Sequence, residues 1–339
     1  MTSSGNGRRE PLSRCCLVTG ASVDQSTMSR AFIISNGRCG STMLSDLIDG
    51  HPHTLSAQEF MLCFEEFTHE KLKQRVTGEA YWHMMSGPSP EVQLLAGLGI
   101  IIPEFRYPDD GRWRGDLGNL PRILHVTLPA ASSQPDDLFD LLAVEVPRFP
   151  TQSVAEHHLT FLDLLATKTG HRRWVERSGM STPMLPGLIR AYPTAKFVYL
   201  TRDIEANARS MSRHPAFQLM SLQFEIRSKR HPNVSFDEFL ENRPDYYMET
   251  RDLLQEDLSA EMLEERGKQQ DRFILLCSFL NKMADKAISD IPPRNLLKVS
   301  YEQLVANPVG QLRRLGRFLD FEDWQDWAEQ VAPQIEVRH

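Results

Sequence analysis

The sequence predicts an α/β protein with three layers, helices on both faces of a central, mostly parallel sheet. Three observations carry this. Short runs of strand length, at residues 31–34, 173–177 and 196–201, alternate with segments of helical period. Each run leads through a polar turn into a helical segment, the order of a parallel sheet with crossover helices. The turn after the first run, in ISNGRCGSTMLSDLIDGHP from Ile34 to Pro52, is built of small residues and opens directly into a helix. Strand, glycine loop and helix in that order aim backbone N–H groups and the positive end of a helix at an anion.

Residues 1–28 are rich in Ser, Gly, Arg and Thr without any period and are expected to form a disordered leader, with Met28 a candidate natural start. LVTGAS within it looks like the opening of a dinucleotide-binding fold, but no G-x-G-x-x-G follows. Ala31-Phe32-Ile33-Ile34 is the first strand, and Met43, Leu44, Leu47 and Ile48 give the next helix its apolar face before Gly50 and Pro52 end it. From 60 to about 170 the pattern is mixed, with turns such as YPDDGRWRGDLGNLP and helical pieces that carry no motif. RWVER (173–177) is a strand, TPMLPGLIRAYP a helix with early prolines, KFVYLT (196–201) a buried strand and DIEANARSMSRH its following helix. Residues 215–260 are polar and helical, with a capping-box start at Ser235 and Glu238, and an amphipathic segment covers about 262–289. LLKVS (296–300) is a further strand, and a helix begins near Pro308. One domain over 29–339 is expected, with helical insertions at about 61–170 and 215–265.

A hydrophobic content of 41% and a charged content of 24% are ordinary for a globular protein. The net charge of −7 argues against binding nucleic acid through a basic face. Five cysteines (Cys15, Cys16, Cys39, Cys63 and Cys277) show no C-x-x-C spacing, which gives neither a disulfide framework nor a zinc site. No metal is expected. The apolar run Leu94 to Ile102 is far short of the roughly 20 residues that span a bilayer. The stretch 94–105 could line an apolar acceptor pocket, although core packing is the simpler expectation. With no apolar segment of the secretory type near residue 1, a cytoplasmic location is expected.

The glycine loop lacks the lysine of a nucleoside-triphosphatase loop, and Arg38 stands before its second glycine instead. Backbone N–H groups from Cys39 to Met43 and the hydroxyls of Ser41 and Thr42 can wrap a phosphate. Arg38 adds a planar cationic fork. Read alone, the loop supports only anion binding, and a small-residue turn between strand and helix would look the same. Arg202 closes a predicted strand where ligands of open α/β sheets bind, and Ser210 follows eight residues on. The pair can hold a second phosphate, although Asp203 as a helix cap needs no ligand to explain it.

Together these elements resemble the sulfotransferases that use 3′-phosphoadenosine-5′-phosphosulfate (PAPS). Arg38-Cys39-Gly40-Ser41-Thr42 is similar to that family's 5′-phosphosulfate loop, AKFVYLTRD with Arg202 and Ser210 to its 3′-phosphate element, and SYEQLVANP to a block whose tyrosine, here Tyr301, lies near the cofactor. The resemblance covers about 29–60, 173–214 and 270–321 and implies a P-loop-like sulfotransferase fold. Its cofactor-binding set is Arg38, Cys39, Gly40, Ser41, Thr42, Met43, Arg202, Ser210 and Tyr301. Cys39 departs from the usual serine, and a thiol at a helix N-terminus is expected to have a lowered pKa and to be oxidisable. The closing VAPQIEVRH offers no counterpart of the glycine-rich lid of classical cytosolic members.

The resemblance also implies the catalytic set. Glu59, 21 residues past Arg38, matches the base position of tyrosylprotein sulfotransferases, and its QEF context looks like the bacterial trehalose enzyme. A carboxylate there can take the proton of an attacking hydroxyl. His51 and His53 are alternatives, whereas His157 and His158 are expected to be solvated. Arg177, in WVERSG, stands where relatives carry a lysine near the transferring group. The implied reaction is sulfuryl transfer from PAPS to a small-molecule hydroxyl: an alcohol, sugar, lipid or natural product. No nucleic-acid partner and no membrane span are expected, and a homodimer is compatible with the sequence. A P-loop kinase of small molecules is the rival enzyme reading, and a catalytically silent nucleotide scaffold the non-enzymatic one.

Overall fold

Five strands, all paired in parallel, make the central sheet of the computed structural model, which describes residues 29–64, 68–230 and 258–335. They are β1 (Arg30–Ile34), β2 (Thr54–Gln58), β5 (Arg173–Arg177), β6 (Lys196–Thr201) and β7 (Leu296–Ser300), in the order β2-β5-β1-β6-β7. Two short strands, β3 (Arg75–Val76) and β4 (Gln152–Ser153), pair antiparallel apart from it. The expected leader and the capping box at Ser235 and Glu238 lie outside the described residues.

The period of two along each strand divides the core between the two faces. Phe32 and Ile34 point to one side with Trp174, Phe197 and Tyr199, and Ala31 and Ile33 point to the other with Val175, Val198 and Val299. The first face is covered by the long helix Val154–Lys168 (Phe161, Leu162, Leu165) and the helix Leu185–Ala191 (Leu185, Leu188). The second face is covered by α1 itself (Ser41–Asp49), through Leu44, Leu47 and Ile48, and by helices Pro308–Phe318 and Trp324–Val331 near the C-terminus. A leucine buried at such a face contributes about 2–3 kcal/mol relative to leaving it exposed. The result is the expected α/β/α arrangement.

Strands expected at 173–177, 196–201 and 296–300 form with those bounds. β2 was not expected, because TLSAQ has neither a β-branched run nor an apolar alternation. All five of its residues are nevertheless buried, and Ser56 exchanges a 2.5 Å hydroxyl hydrogen bond with Ser45 of α1. The expected amphipathic segment 262–289 is two helices, Ala260–Gly267 and α2 (Gln270–Ile288), broken at Lys268–Gln269. A Cβ on Gly267 would lie 2.5 Å from the Ser212 carbonyl, so the break falls where glycine permits a close backbone approach.

The expectation of solvated His157 and His158 is overturned. Both are buried in helix Val154–Lys168 with partners of their own. His157 Nε2 is 2.9 Å from the Val76 carbonyl oxygen, and His158 Nδ1 is 2.9 Å from the Tyr192 hydroxyl. Burial lowers the His158 pKa to about 3, so its ring is neutral.

Candidate active site

Parallel strands all end on one edge of the sheet, and in open α/β sheets ligands bind there. Each of the five strands delivers one expected residue to that edge. Arg38 follows β1, Glu59 follows β2, Arg177 ends β5, Arg202 follows β6 and Tyr301 follows β7.

The loop after β1 is held in an uncommon backbone conformation. Gly37, Arg38 and Gly40 have φ of 80°, 57° and 86°. Gly40 is the N-cap of α1 and brings no capping side chain, so the first-turn N–H groups of Ser41, Thr42 and Met43 are left for a ligand. A Cβ at Gly40 would lie 2.5 Å from the Tyr301 ring, and one at Gly37 would lie 2.4 Å from both the Gly179 carbonyl and the Phe217 ring. Both positions therefore need glycine for space as well as for φ.

Two asparagines missed in the sequence pin this loop. Asn36 donates to Asn281 at 2.6 Å and accepts from Thr182 at 2.7 Å. Asn207, on helix Ile204–Ser212, donates to the Gly37 carbonyl at 2.9 Å and to Cys39 Sγ at 3.2 Å. Asparagine is a poor helix former, and its place between Arg202 and Ser210 was the available signal. The expected reactive thiol is overturned here. Cys39 is buried against Asn207, and burial pushes its pKa up to about 12, outweighing the opposing effects of the Asn36 backbone, Arg202 and Asn207.

Arg202 and Ser210 meet through Arg38 and share no hydrogen bond with one another among the described residues. Arg202 donates to the Arg38 carbonyl at 3.1 Å, and Ser210 Oγ accepts from Arg38 Nε at 3.3 Å. Arg202 also stacks over Tyr301, while its buried Nε has no hydrogen-bond partner among the described residues. Arg38 further donates to Glu104 at 2.5 Å, and the other Glu104 oxygen is 2.6 Å from His214 Nε2. Burial alone would raise the Glu104 pKa, but His214 and Arg38 outweigh it and hold the carboxyl below its usual range. Neither Glu104 nor His214 carries a signal in the sequence.

Glu59 has φ of 55°, so it and Arg38 are two of the three non-glycine residues with positive φ among the described residues. Such a conformation costs on the order of 1–3 kcal/mol and persists where surrounding contacts hold it. Those contacts are present. Glu59 N–H extends the β2–β5 ladder to the Arg177 carbonyl at 2.7 Å, one carboxylate oxygen accepts from Arg177, and the other accepts from Gly179 N–H at 2.9 Å. Arg177 is itself buried and donates to Gln58 at 2.7 Å. On the opposite face of β5, Glu176 is fully buried, and burial raises its pKa to about 8 despite hydrogen bonds from Ser178 and Met61.

The alternative bases lie elsewhere. His51 and His53 precede β2, so the five-residue strand separates them from Glu59 by roughly 17 Å. His51 is buried, stacked on Phe321 and 2.9 Å from Asp323.

Arg38, Ser41, Thr42, Glu59 and Arg177 share the wall of a cavity of about 440 Å³. Leu95 and Ile102, from the apolar run at 94–102, line it too. Among the described residues no cluster of His, Cys, Asp and Glu could hold a metal ion, and no helix is long and apolar enough to cross a membrane.

A family model described as the sulfotransferase family matches residues 30–326. No curated protein sequence matches the chain. Among solved structures it is similar to the sulfotransferase domain from the curacin biosynthetic pathway, at 17% identity over 88% of this chain and 76% of that one, with a TM-score of 0.43. It is also similar to sulfotransferase STF9 from Mycobacterium avium, at 12% identity over 92% and 69% of the two chains, with a TM-score of 0.43. A third is the sulfotransferase domain of the Synechococcus PCC 7002 olefin synthase, at 14% identity, 92% and 96% coverage and a TM-score of 0.41. Similarities of that size leave the assignment to the family model, whose match runs from the first residue of β1 into the last helix. The chain belongs to the sulfotransferase family.

Proposed function

We propose that this sulfotransferase takes its sulfuryl group from PAPS and delivers it to the hydroxyl of a small-molecule acceptor, with Glu59 as general base. The observation that carries this reading is that Glu59 and the anion loop, through Arg38, Ser41 and Thr42, line one and the same cavity.

The residues present suit a doubly phosphorylated nucleotide. Uncapped N–H groups at the start of α1 and the glycine cradle under Tyr301 suit one phosphate, and the buried, unpartnered Nε of Arg202 suits a second. Cys39 and Met43 contribute backbone N–H groups, and Ser210 adds its hydroxyl. When bound, PAPS supplies an electrophilic sulfuryl group on a phosphate leaving group. Glu59 takes the proton of the acceptor hydroxyl. Arg38, the loop N–H groups and Arg177 offset negative charge on the transferring and departing oxygens. Arg177 also orients Glu59, with Gly179 N–H fixing the second carboxylate oxygen.

Transfer from sulfur-labelled PAPS is the test. Glu59→Gln keeps an oxygen for Arg177 and should lower turnover by about 10²–10⁴-fold. Affinity for adenosine 3′,5′-bisphosphate should stay within about twofold of wild type, since no bond to nucleotide is assigned to Glu59. Near-normal turnover in the variant would remove Glu59 as the base.

A further inference from the structure

Resting on the sulfotransfer reading above, we infer that the acceptor is an apolar alcohol, a hydroxyl carried on a hydrocarbon body, and that sugars are excluded. The cavity that holds Glu59 and Arg38 lies where three separate apolar clusters meet. Phe64 and Met184 come to its wall from the cluster on the sheet, Phe217, Leu280 and Met283 from that around α2, and Leu95 from a third. At about 440 Å³ it falls within the roughly 300–1,000 Å³ of pockets that enclose small molecules.

Most of the wall's charged side chains are already engaged with one another, which favours hydrocarbon over sugar. Arg38 and His214 share Glu104, Arg177 holds Glu59, and Ser89 donates to Glu91 at 2.8 Å. Arg122 donates to the Pro88 carbonyl at 2.9 Å. His125 presents no charge, because burial lowers its pKa to about 4, and its Nε2 is 3.1 Å from the Leu120 carbonyl oxygen. A sugar brings several hydroxyls, and each one buried without a partner costs affinity. A hydrocarbon body brings none. Met180, Met184, Met220 and Met283 give the wall flexible thioether side chains that fit irregular apolar shapes. Three buried nitrogens of this wall have no hydrogen-bond partner among the described residues, Gln223 Nε2, His214 Nδ1 and Arg177 Nε, fewer than the hydroxyls a sugar brings.

Two measurements test this. In the absence of nucleotide, dodecanol should displace a fluorescent anilinonaphthalene probe from the full chain and trehalose should not. With labelled PAPS, kcat/KM along the series butanol to dodecanol should rise by roughly three- to fourfold per methylene until the cavity is filled. Glucose and trehalose should stay about 100-fold or more below dodecanol. Met220→Glu, in the wall and partly buried, should flatten the chain-length dependence while leaving adenosine 3′,5′-bisphosphate affinity unchanged. Sugars outperforming dodecanol, rates indifferent to chain length, or nucleotide binding without transfer to any alcohol would each overturn the inference while sparing the donor reading. Probe displacement by dodecanol with no nucleotide binding would instead overturn the donor reading and leave an apolar site.

Discussion

The guanidinium carbon of Arg202 stands 4.6 Å from the centroid of the Tyr301 ring, and that ring in turn closes on Gly40. Stacking fixes the plane of the guanidinium, and a hydrogen bond to the Arg38 carbonyl fixes its rotation, so the unpartnered Nε is held in one orientation. Arg202→Ala should weaken adenosine 3′,5′-bisphosphate binding by about 10- to 100-fold, the scale of one charge-assisted hydrogen bond. Arg202→Lys should recover little, because an ammonium cannot reproduce the stacked plane. Calorimetric titration measures both, and unchanged affinity would take Arg202 out of the phosphate site.

Gly40→Ala places a Cβ against the Tyr301 ring at φ of 86°. Stability should fall by about 1–3 kcal/mol from backbone strain alone, with nucleotide affinity falling too. Adding Tyr301→Ala relieves the steric part and leaves the strain. Urea denaturation should therefore show partial recovery in the double variant, and full recovery would mean that strain at this position is negligible.

Glu176 ties stability to pH. Burial raises its folded pKa to about 8, against about 4.3 in an unfolded chain. Between those values the folded chain keeps a proton that the unfolded chain gives up. Its stabilising contribution is full below about pH 4.3 and is lost as pH rises toward 8, by up to about 1.4 kcal/mol per pH unit. Glu176→Gln removes the titration and keeps a hydrogen-bond acceptor for Ser178. Urea midpoints at about pH 5.5 and about 7.5 should differ less in the variant than in wild type.

Cys39, Cys63 and Cys277 are buried, and burial pushes each thiol up to about 12. In a Cys15→Ser, Cys16→Ser background, Ellman's reagent should label nothing near pH 8 until urea unfolds the chain. Rapid labelling of Cys39 in the folded protein would restore the reactive thiol that its place beside α1 suggests.

Most of the sheet was legible because apolar runs such as KFVYLT carry a strand's period in themselves. β2 was not, since Thr54, Ser56 and Gln58 are buried through contacts with α1 and β5 that no local pattern announces. Arg38 and Arg202 stand out beside legible strand ends, a glycine loop and a charged strand terminus, whereas Glu59, Arg177 and Tyr301 were reached through the family resemblance, Glu59 at the end of a strand that no pattern announces. Asn207, Glu104 and His214 were reached by neither route, since their partners are distant in the chain. The error at Cys39 has the same origin: helix position is visible in a sequence, whereas burial against Asn207, itself hydrogen-bonded by Cys277, depends on tertiary structure.

One residue from each of five strands has a practical consequence for protein engineering. No peptide excised from this chain holds more than a fraction of the site, because its members lie between residues 38 and 301 and are gathered only by strand pairing. Grafting the loop alone onto another scaffold would leave Glu59, Arg177, Arg202 and Tyr301 behind. A functional transplant must carry the carboxyl edge of a parallel sheet in its register, Gln58 beside Arg177 and Thr201 beside Ser300.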